Sequence, residues 1–191
     1  MLLKKKDGIN FAKLSGDKNP IHTNEKIGNE SQFGEIIVHG CLILTEILKS
    51  IKIQKYQSIK VIFKSFTHYN LKSKIVLYQK NNSKKVYNIY QNNQLKIILI
   101  IFLKNEEESI LLEKTTHQIK YAISNKKRRK FFDNKTNTDL KLLLCELSKY
   151  VGTKYPGRYS LINEIHIFKK KNLFQENIVS IKSKKIDKRF N

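Results

Sequence analysis

The chain has 191 residues, of which 40% are hydrophobic and 10% aromatic, so it can form a hydrophobic core and is not a disordered polymer. Its formal net charge of +22 predicts a strongly positive surface, which suits nucleic acid, an anionic membrane, a coenzyme A phosphate or an acidic carrier protein. Lys, Asn and Ile are over-used together, as an AT-rich genome also produces, and the two explanations of the charge carry equal weight.

The cysteines and apolar segments give no sign of export or membrane insertion. Cys41 and Cys145 lie in apolar helical runs, where buried free thiols are usual, and they make neither a disulfide framework nor a metal-ligand pattern. Residues 1–10 contain no apolar run of signal-peptide length, and the longest apolar stretch, Ile97–Leu103, is too short for a membrane span. We therefore expect a cytoplasmic protein without a membrane span.

The first part of the chain predicts two short helices joined by a loop. Asp7 caps the first helix, which ends at Ser15-Gly16-Asp17 and has a buried stripe of Ile9, Phe11, Ala12 and Leu14. Lys18–Asn24 is expected to be a loop, because Asn19 precedes a proline and so disfavours helix. A second short helix is expected near Glu25–Asn29.

A longer helix is predicted from about His39 to Ile51, after a short buried segment at residues 36–38. Its apolar face is broad and its polar face narrow, as expected of a helix around which a sheet curls. Alternating residues then predict strands at Tyr56–Phe66, Lys74–Lys80, Lys85–Gln91 and Gln94–Leu103, with asparagine-rich turns between the last three. A long helix followed by an antiparallel meander is an α+β plan.

The second half predicts a shorter version of this arrangement. A strand at Glu113–Ser124 and a basic loop at Asn125–Thr138 precede a helix that runs to Val151 and is ended by Gly152. Two further strands are expected at Tyr159–Phe168 and Ile178–Ile186.

A weak internal repeat supports this interpretation. Leu44-Thr45-Glu46-Ile47 is matched one hundred residues later by Leu144-Cys145-Glu146-Leu147. Chance similarity between two amphipathic helices explains the match equally well.

An acid and a histidine flank the rigid loop at Asn19-Pro20. Pro20 fixes its own backbone and Asn19 can hydrogen-bond local backbone groups, so the loop can aim Asp17 and His22 into one cleft. A carboxylate and an imidazole together can bind a water molecule and transfer its proton near neutral pH. A lone Asp or His would be structural, but the whole string Ser15-Gly16-Asp17-x-Asn19-Pro20-Ile21-His22 is poorly explained in that way.

This string resembles the signature of the MaoC-like dehydratases, the (R)-specific enoyl-thioester hydratases of the hot-dog fold. The similarity includes Phe11-Ala12, Phe33-Gly34 and Ile37-Val38-His39-Gly40, and it continues loosely to Leu103. It implies a hot-dog fold, in which an antiparallel sheet wraps a long helix. We divide the chain into a catalytic unit at residues 1–112 and a degenerate, shortened second unit at residues 113–191, which makes a double hot-dog.

The resemblance implies a hydro-lyase that reversibly hydrates a trans-2-enoyl thioester to an (R)-3-hydroxyacyl thioester. Asp17 and His22 would be the catalytic pair, and backbone N–H groups at Gly40 and Cys41 would polarise the thioester carbonyl with the help of the helix dipole. Asn19 and His39 are further substrate-binding candidates. For His39, packing at the helix start is the favoured alternative.

The same resemblance implies that no metal or redox cofactor is needed, since the substrate would be carried on coenzyme A or on the phosphopantetheine of an acyl carrier protein. Fatty acid metabolism is one of several pathways that remain open, beside polyester, polyketide and surface-polysaccharide routes.

Two other functions compete with the hydratase. A short N-terminus and an incomplete second half would suit a non-catalytic hot-dog protein that binds acyl thioesters or serves as a subunit partner. Nucleic-acid binding rests on charge alone and ranks third, because aromatic residues are not interleaved with the basic cluster Lys126–Lys130. That cluster suits a solvated loop better than a docking site for an acyl carrier protein or coenzyme A.

Two smaller expectations concern the isolated histidines and an exposed sheet edge. His68, His117 and His166 lie singly on strand-like stretches and are interpreted as structural. An exposed sheet edge in the second half would favour a homodimer, because unpaired strand edges tend to be covered.

Overall fold

Helices and strands are described here for residues 1–53, 55–104, 116–120, 138–155, 157–168 and 178–182 of a computed structural model. The helices in these ranges are α1 (Lys5–Ser15), α2 (Glu25–Glu30), α3 (Gly40–Ser50) and α4 (Thr138–Thr153), with a single 3-10 turn at Pro20–His22. The strands are β1 (Ser58–Phe63), β2 (Lys74–Lys80), β3 (Lys84–Gln91), β4 (Gln94–Phe102), β5 (Thr116–Lys120), β6 (Glu164–Phe168) and β7 (Ile178–Lys182).

Five strands form one antiparallel sheet in the order β2-β3-β4-β1-β6. The outer strand β6 comes from the second half of the chain and pairs with β1, with Ile59 opposite Ile167 and Val61 opposite Ile165. The hairpin between β3 and β4 turns at Asn92-Asn93, whose backbones are both left-handed, as asparagine tolerates. Strands β5 and β7 pair with each other in a second sheet.

Helix α3 supplies the centre of the hydrophobic core. Ile43, Leu44 and Ile47 of α3 are almost completely buried, and they share one cluster with Ile97 and Leu99 of the sheet. Helix α4 packs against α3, and its apolar residues belong to the same cluster. Burying each such side chain contributes about 1.5–3 kcal/mol to the hydrophobic stabilisation.

The α+β class and the hot-dog plan of a long helix against an antiparallel sheet are therefore confirmed. The double hot-dog stays a prediction, and so do the units at residues 1–112 and 113–191, because residues 105–115 lie outside the described ranges. The described part of the second half adds α4 and β6 directly to the core and sheet of the first half.

The details of α1 differ from the prediction. Asp7 lies inside the helix rather than at its cap, and its Oδ2 atom accepts the N–H of Lys4 at 2.8 Å. The buried face runs through Gly8, Phe11 and Ser15, whereas Ile9 is exposed. The face is shifted because the helix must present a glycine to Tyr69, whose hydroxyl would lie 1.9 Å from a Cβ atom at Gly8.

The second half also corrects two predicted boundaries. Helix α4 continues through Gly152 to Thr153 instead of ending at Val151. The strand predicted from Tyr159 begins only at Glu164, and residues 157–163 form an irregular segment in which Tyr159 has a φ of 64°. Both differences arise at the candidate site, where these residues contact the loop that carries Asp17.

Several predictions lie wholly or partly outside the described residues. These are the loop Asn125–Thr138 up to residue 137, with its cluster Lys126–Lys130, and the chain after Lys182. Strands β5 and β7 fall within the segments predicted as strands. In the parts of the chain that are described, no helix has both the length and the apolar character needed to cross a membrane.

Candidate active site

The loop that carries Asp17 is built by local hydrogen bonds at the end of α1. Gly16 takes the left-handed conformation that commonly ends a helix, with a φ of 80°. The Ser15 hydroxyl donates to the Phe11 carbonyl at 2.8 Å and accepts the N–H of Asp17 at 3.1 Å. Oδ1 of Asp17 then accepts the N–H of Asn19 at 2.9 Å. These contacts fix the direction of a carboxylate that is almost completely buried.

A residue of the second half holds the other oxygen of Asp17. The Ser148 hydroxyl, on α4, donates a hydrogen bond to Oδ2 at 2.6 Å. One turn later, Gly152 lets the helix pass against the carboxylate, because a Cβ atom there would lie 2.0 Å from Oδ1. The sequence analysis missed Ser148 and interpreted Gly152 only as a helix end. The one available signal was a serine and a glycine near the apolar stripe of the predicted helix.

His22 is oriented by the backbone of the buried segment at residues 36–38. Its Nδ1 atom lies 3.0 Å from the Ile37 carbonyl oxygen, and because a carbonyl only accepts, Nδ1 carries the proton. In the neutral ring, Nε2 is then an acceptor. Burial lowers the pKa of His22, while the Asp17 carboxylate and the Ile37 carbonyl act in the opposite direction. A lowered pKa keeps the imidazole neutral near neutral pH.

His39 lies behind His22 rather than in the cavity described below. The two rings are stacked at 4.1 Å between centroids with a tilt of 31°, and the edge of Phe11 contacts His39 from another side. Nδ1 of His39 lies 3.5 Å from the Tyr69 hydroxyl, and Nε2 has no hydrogen-bond partner among the described residues. Burial lowers the pKa of His39 well below its usual value, and His22 adds to this shift.

Asp17, His22 and His39 each have one potential metal-ligand atom, and these three atoms lie within 4.8 Å of one another. His39 does not line the cavity, so a ligand in the cavity meets Asp17 and His22 but not the third member of this group. This arrangement suits a water molecule held by Asp17 and His22 better than a cation held by all three groups. That the site needs no metal stays a prediction.

A cavity of about 520 Å³ opens above Asp17 and His22. Its floor is made of buried residues that include Asp17, Asn19 and His22, and its wall includes Gly40 and Ile43 of α3. Its rim includes exposed residues that follow β1 and α4, most of them in the segment at residues 157–163. The volume and the combination of an apolar wall with polar groups on the floor are typical of a small-molecule site.

The start of α3 faces this cavity through Gly40. As the first residue of the helix, Gly40 has an N–H group without an acceptor inside the helix. A Cβ atom at this position would lie 3.2 Å from the Phe63 ring, so glycine leaves room between the helix start and Phe63 at the cavity wall. Cys41, in contrast, is fully buried and does not line the cavity, and burial raises the pKa of its thiol.

Asn19 connects the loop to the second half of the chain. Its Nδ2 atom donates to the Ser160 carbonyl at 3.1 Å, and its Oδ1 atom accepts the N–H of Tyr159 at 3.2 Å. Asn19 lines the cavity, but its side chain is engaged in holding the segment at residues 157–163. The sequence had marked Asn19 only as a local loop residue and substrate-binding candidate.

The remaining histidines lie away from the cavity. Nδ1 of His68 contacts Glu35 at 2.5 Å, and Nε2 of His166 lies 3.5 Å from the Ser58 hydroxyl. The side chain of His117 is outside the described part of the structure. None of the described histidines other than His22 lines the cavity.

Residues 2–72 match the family model of the MaoC like domain. The predicted resemblance to the MaoC-like dehydratases is confirmed. The match covers the loop with Asp17 and His22, helix α3 and strand β1. No curated protein matches the chain.

Solved structures similar to this chain include the unliganded R-hydratase PhaJ1 from Pseudomonas aeruginosa, at 20% identity and a TM-score of 0.47, over 56% of this chain and 77% of that one. The (R)-hydratase from A. caviae involved in PHA biosynthesis shows 17% identity and a TM-score of 0.44, over 53% and 89% of the two chains. A MaoC-like dehydratase from Phytophthora capsici shows 16% identity and a TM-score of 0.48, over 56% and 41%.

Proposed function

We propose that this protein is an enoyl-thioester hydratase, which reversibly adds water to a trans-2-enoyl thioester to give an (R)-3-hydroxyacyl thioester. The observation that carries the proposal is the pairing of Asp17 and His22 on the floor of a cavity, within 4.8 Å of each other. The MaoC-like match over residues 2–72 adds the reaction class.

Asp17 and His22 are arranged to hold one water molecule as acceptors. Each oxygen of Asp17 uses one lone pair for a protein donor and keeps another, and the Nε2 atom of neutral His22 is free of the hydrogen bond that occupies Nδ1. As the water oxygen bonds to C3 of the enoyl group, one of its protons passes to the Asp17–His22 pair. The pair returns a proton to C2 and ends in its starting state.

The thioester oxygen gains negative charge as C3 is attacked, and the start of α3 is suited to stabilise it. Gly40 lines the cavity, its N–H lacks an intrahelical acceptor, and the positive end of the helix dipole lies beside it. Of the two backbone groups that the sequence suggested, Gly40 lies at the cavity wall and Cys41 does not.

The test is the loss of absorbance at the enoyl-thioester band with crotonyl- and octenoyl-coenzyme A and with the matching carrier-protein thioesters. Asp17→Asn and His22→Gln are each expected to lower kcat by roughly 10²- to 10⁴-fold, the usual contribution of a positioned acid or base. Glu25→Gln and His68→Gln are matched controls, because Glu25 is on the surface and His68 lies outside the cavity.

Unchanged turnover in Asp17→Asn or His22→Gln would contradict the proposed roles. A folded wild-type protein without turnover on any of these thioesters would contradict the enzyme, and would favour the non-catalytic thioester-binding protein.

A further inference from the structure

Two cations, Lys64 and Arg158, lie at the exposed rim of the cavity, whereas Asp17 and His22 are buried. The exposed lining residues include Lys64, Tyr155, Arg158, Tyr159, Leu161 and Asn163. Among the described residues that line the cavity, Asp17 is the only carboxylate, and it lies on the floor. The cavity therefore has a carboxylate at its buried end and positive charge at its open end.

Neither cation is neutralised within the described part of the chain. The ion pairs found there are formed by other residues, so the positive charges of Lys64 and Arg158 are available to a ligand. An arginine guanidinium binds phosphate oxygens in a bidentate manner, and a lysine ammonium serves as a point charge beside it.

The residues next to Lys64 and Arg158 are held in place by hydrogen bonds to other parts of the site. Lys64 follows Phe63, whose N–H donates to the Asn163 carbonyl at 2.8 Å. This bond joins the end of β1 directly to residues 157–163, the rim segment. Arg158 precedes Tyr159, whose N–H donates a hydrogen bond to Oδ1 of Asn19. The rim is thus connected by hydrogen bonds to the loop that carries Asp17.

We propose that Lys64 and Arg158 bind the phosphate ester of the phosphopantetheine arm on which the acyl thioester is carried. This inference rests on the proposed function, since it assumes that the thioester lies at the floor. The apolar wall and the exposed surfaces of Tyr155 and Leu161 then border the neutral pantetheine part, and the phosphate remains at the solvent-exposed rim. Coenzyme A and acyl carrier proteins share this phosphate ester.

The test compares the binding of two unreactive thioethers, S-butyl-4′-phosphopantetheine and S-butyl-pantetheine, by calorimetry at low salt. We expect the phosphorylated compound to bind roughly three- to tenfold more tightly, and the difference to shrink at high salt because exposed charges are screened. Lys64→Gln and Arg158→Gln are each expected to reduce this ratio. Lys74→Gln, on the exposed strand β2 and outside the cavity, is the matched control and should leave it unchanged.

Equal binding of the two thioethers by the wild type would overturn the proposal, and so would a loss in the control as large as in the rim variants. Binding of S-butyl-coenzyme A and of a carrier protein loaded with the S-butyl arm identifies the source of the phosphate, because the natural carrier must bind more weakly to Lys64→Gln and Arg158→Gln than to the wild type. If neither ligand binds more weakly to these variants, the proposal is also overturned. Because the readout is binding, a protein that binds in this manner without turnover would contradict only the proposed function.

Discussion

The Ser148 hydroxyl donates a 2.6 Å hydrogen bond to Oδ2 of Asp17, although the two residues are 131 positions apart. Both side chains are buried, and Asp17 belongs to the segment that matches the MaoC-like domain while Ser148 lies beyond it. The second half of the chain therefore completes the environment of the candidate catalytic carboxylate, and this leads to specific expectations for α4.

Ser148→Ala should lower kcat by roughly tenfold to a hundredfold, because a carboxylate that is free to turn is no longer held against the substrate. The variant should also lose about 1–3 kcal/mol of unfolding free energy, because a buried oxygen of Asp17 loses its donor. Enoyl-thioester turnover and urea denaturation measure the two effects. Ser148→Thr keeps the hydroxyl and should recover most of the activity.

A merely structural role for Ser148 would give a different pattern. Ser148→Ala and Ser148→Thr would then change stability while kcat followed the folded fraction alone. Ser50→Ala, at an exposed serine of α3, is the control and should leave kcat unchanged.

Gly152→Ala tests the contact between α4 and Asp17 directly. Alanine is the better helix former, so an isolated helix would gain stability from this change. Here the new Cβ atom would lie 2.0 Å from Oδ1 of Asp17, and we expect a loss of about 1–3 kcal/mol in unfolding free energy together with most of the activity. Thr153→Ala, one residue later at an exposed position, should alter neither, and a stable, active Gly152→Ala protein would refute the contact.

The pH dependence of stability should reflect the stacked histidines His22 and His39. Burial lowers both pKa values in the folded state, so below the unfolded pKa of about 6.5 the unfolded chain binds more protons than the folded one. Their contribution to stability is thus constant above that pH and is lost progressively as the pH falls below it. Each histidine accounts for at most about 1.4 kcal/mol per pH unit.

Urea denaturation between about pH 7.5 and pH 5 measures this slope. His39→Phe keeps an aromatic ring in the buried position without a titrating group, so the slope should become shallower by up to the contribution of one histidine. Glu30→Gln, at an exposed position, serves as the control. An identical slope in wild type and His39→Phe would show that His39 does not titrate in this way.

Asn19→Ala should release the rim segment from the catalytic loop. The variant loses one hydrogen bond to the Ser160 carbonyl and one from the Tyr159 N–H, and the left-handed backbone of Tyr159 loses its support. We expect a higher KM for enoyl thioesters and faster tryptic cleavage after Arg158. Asn93→Ala, in the β3–β4 hairpin, is the control for loss of an asparagine, and its cleavage at Arg158 should match wild type.

Patterns among residues close together in the sequence predicted most of the helices and strands correctly. Helix α3 and strands β2, β3 and β4 agree closely with the apolar pattern, because periodicity records which side of an element is buried. The stripe of α1 was shifted because glycine at position 8 carries no hydrophobic signal, although Tyr69 makes it part of the packed face.

The sequence by itself determined the loop with Asp17 and His22, since its rigidity comes from Pro20 and from hydrogen bonds within a few residues. It also determined the α+β class. Only the tertiary structure decided which groups meet that loop: Ser148, Gly152 and the rim segment come from more than a hundred residues further along. Their contacts depend on how α4 packs against α3 and α1, and a local pattern shows that a helix is buried without showing its partner.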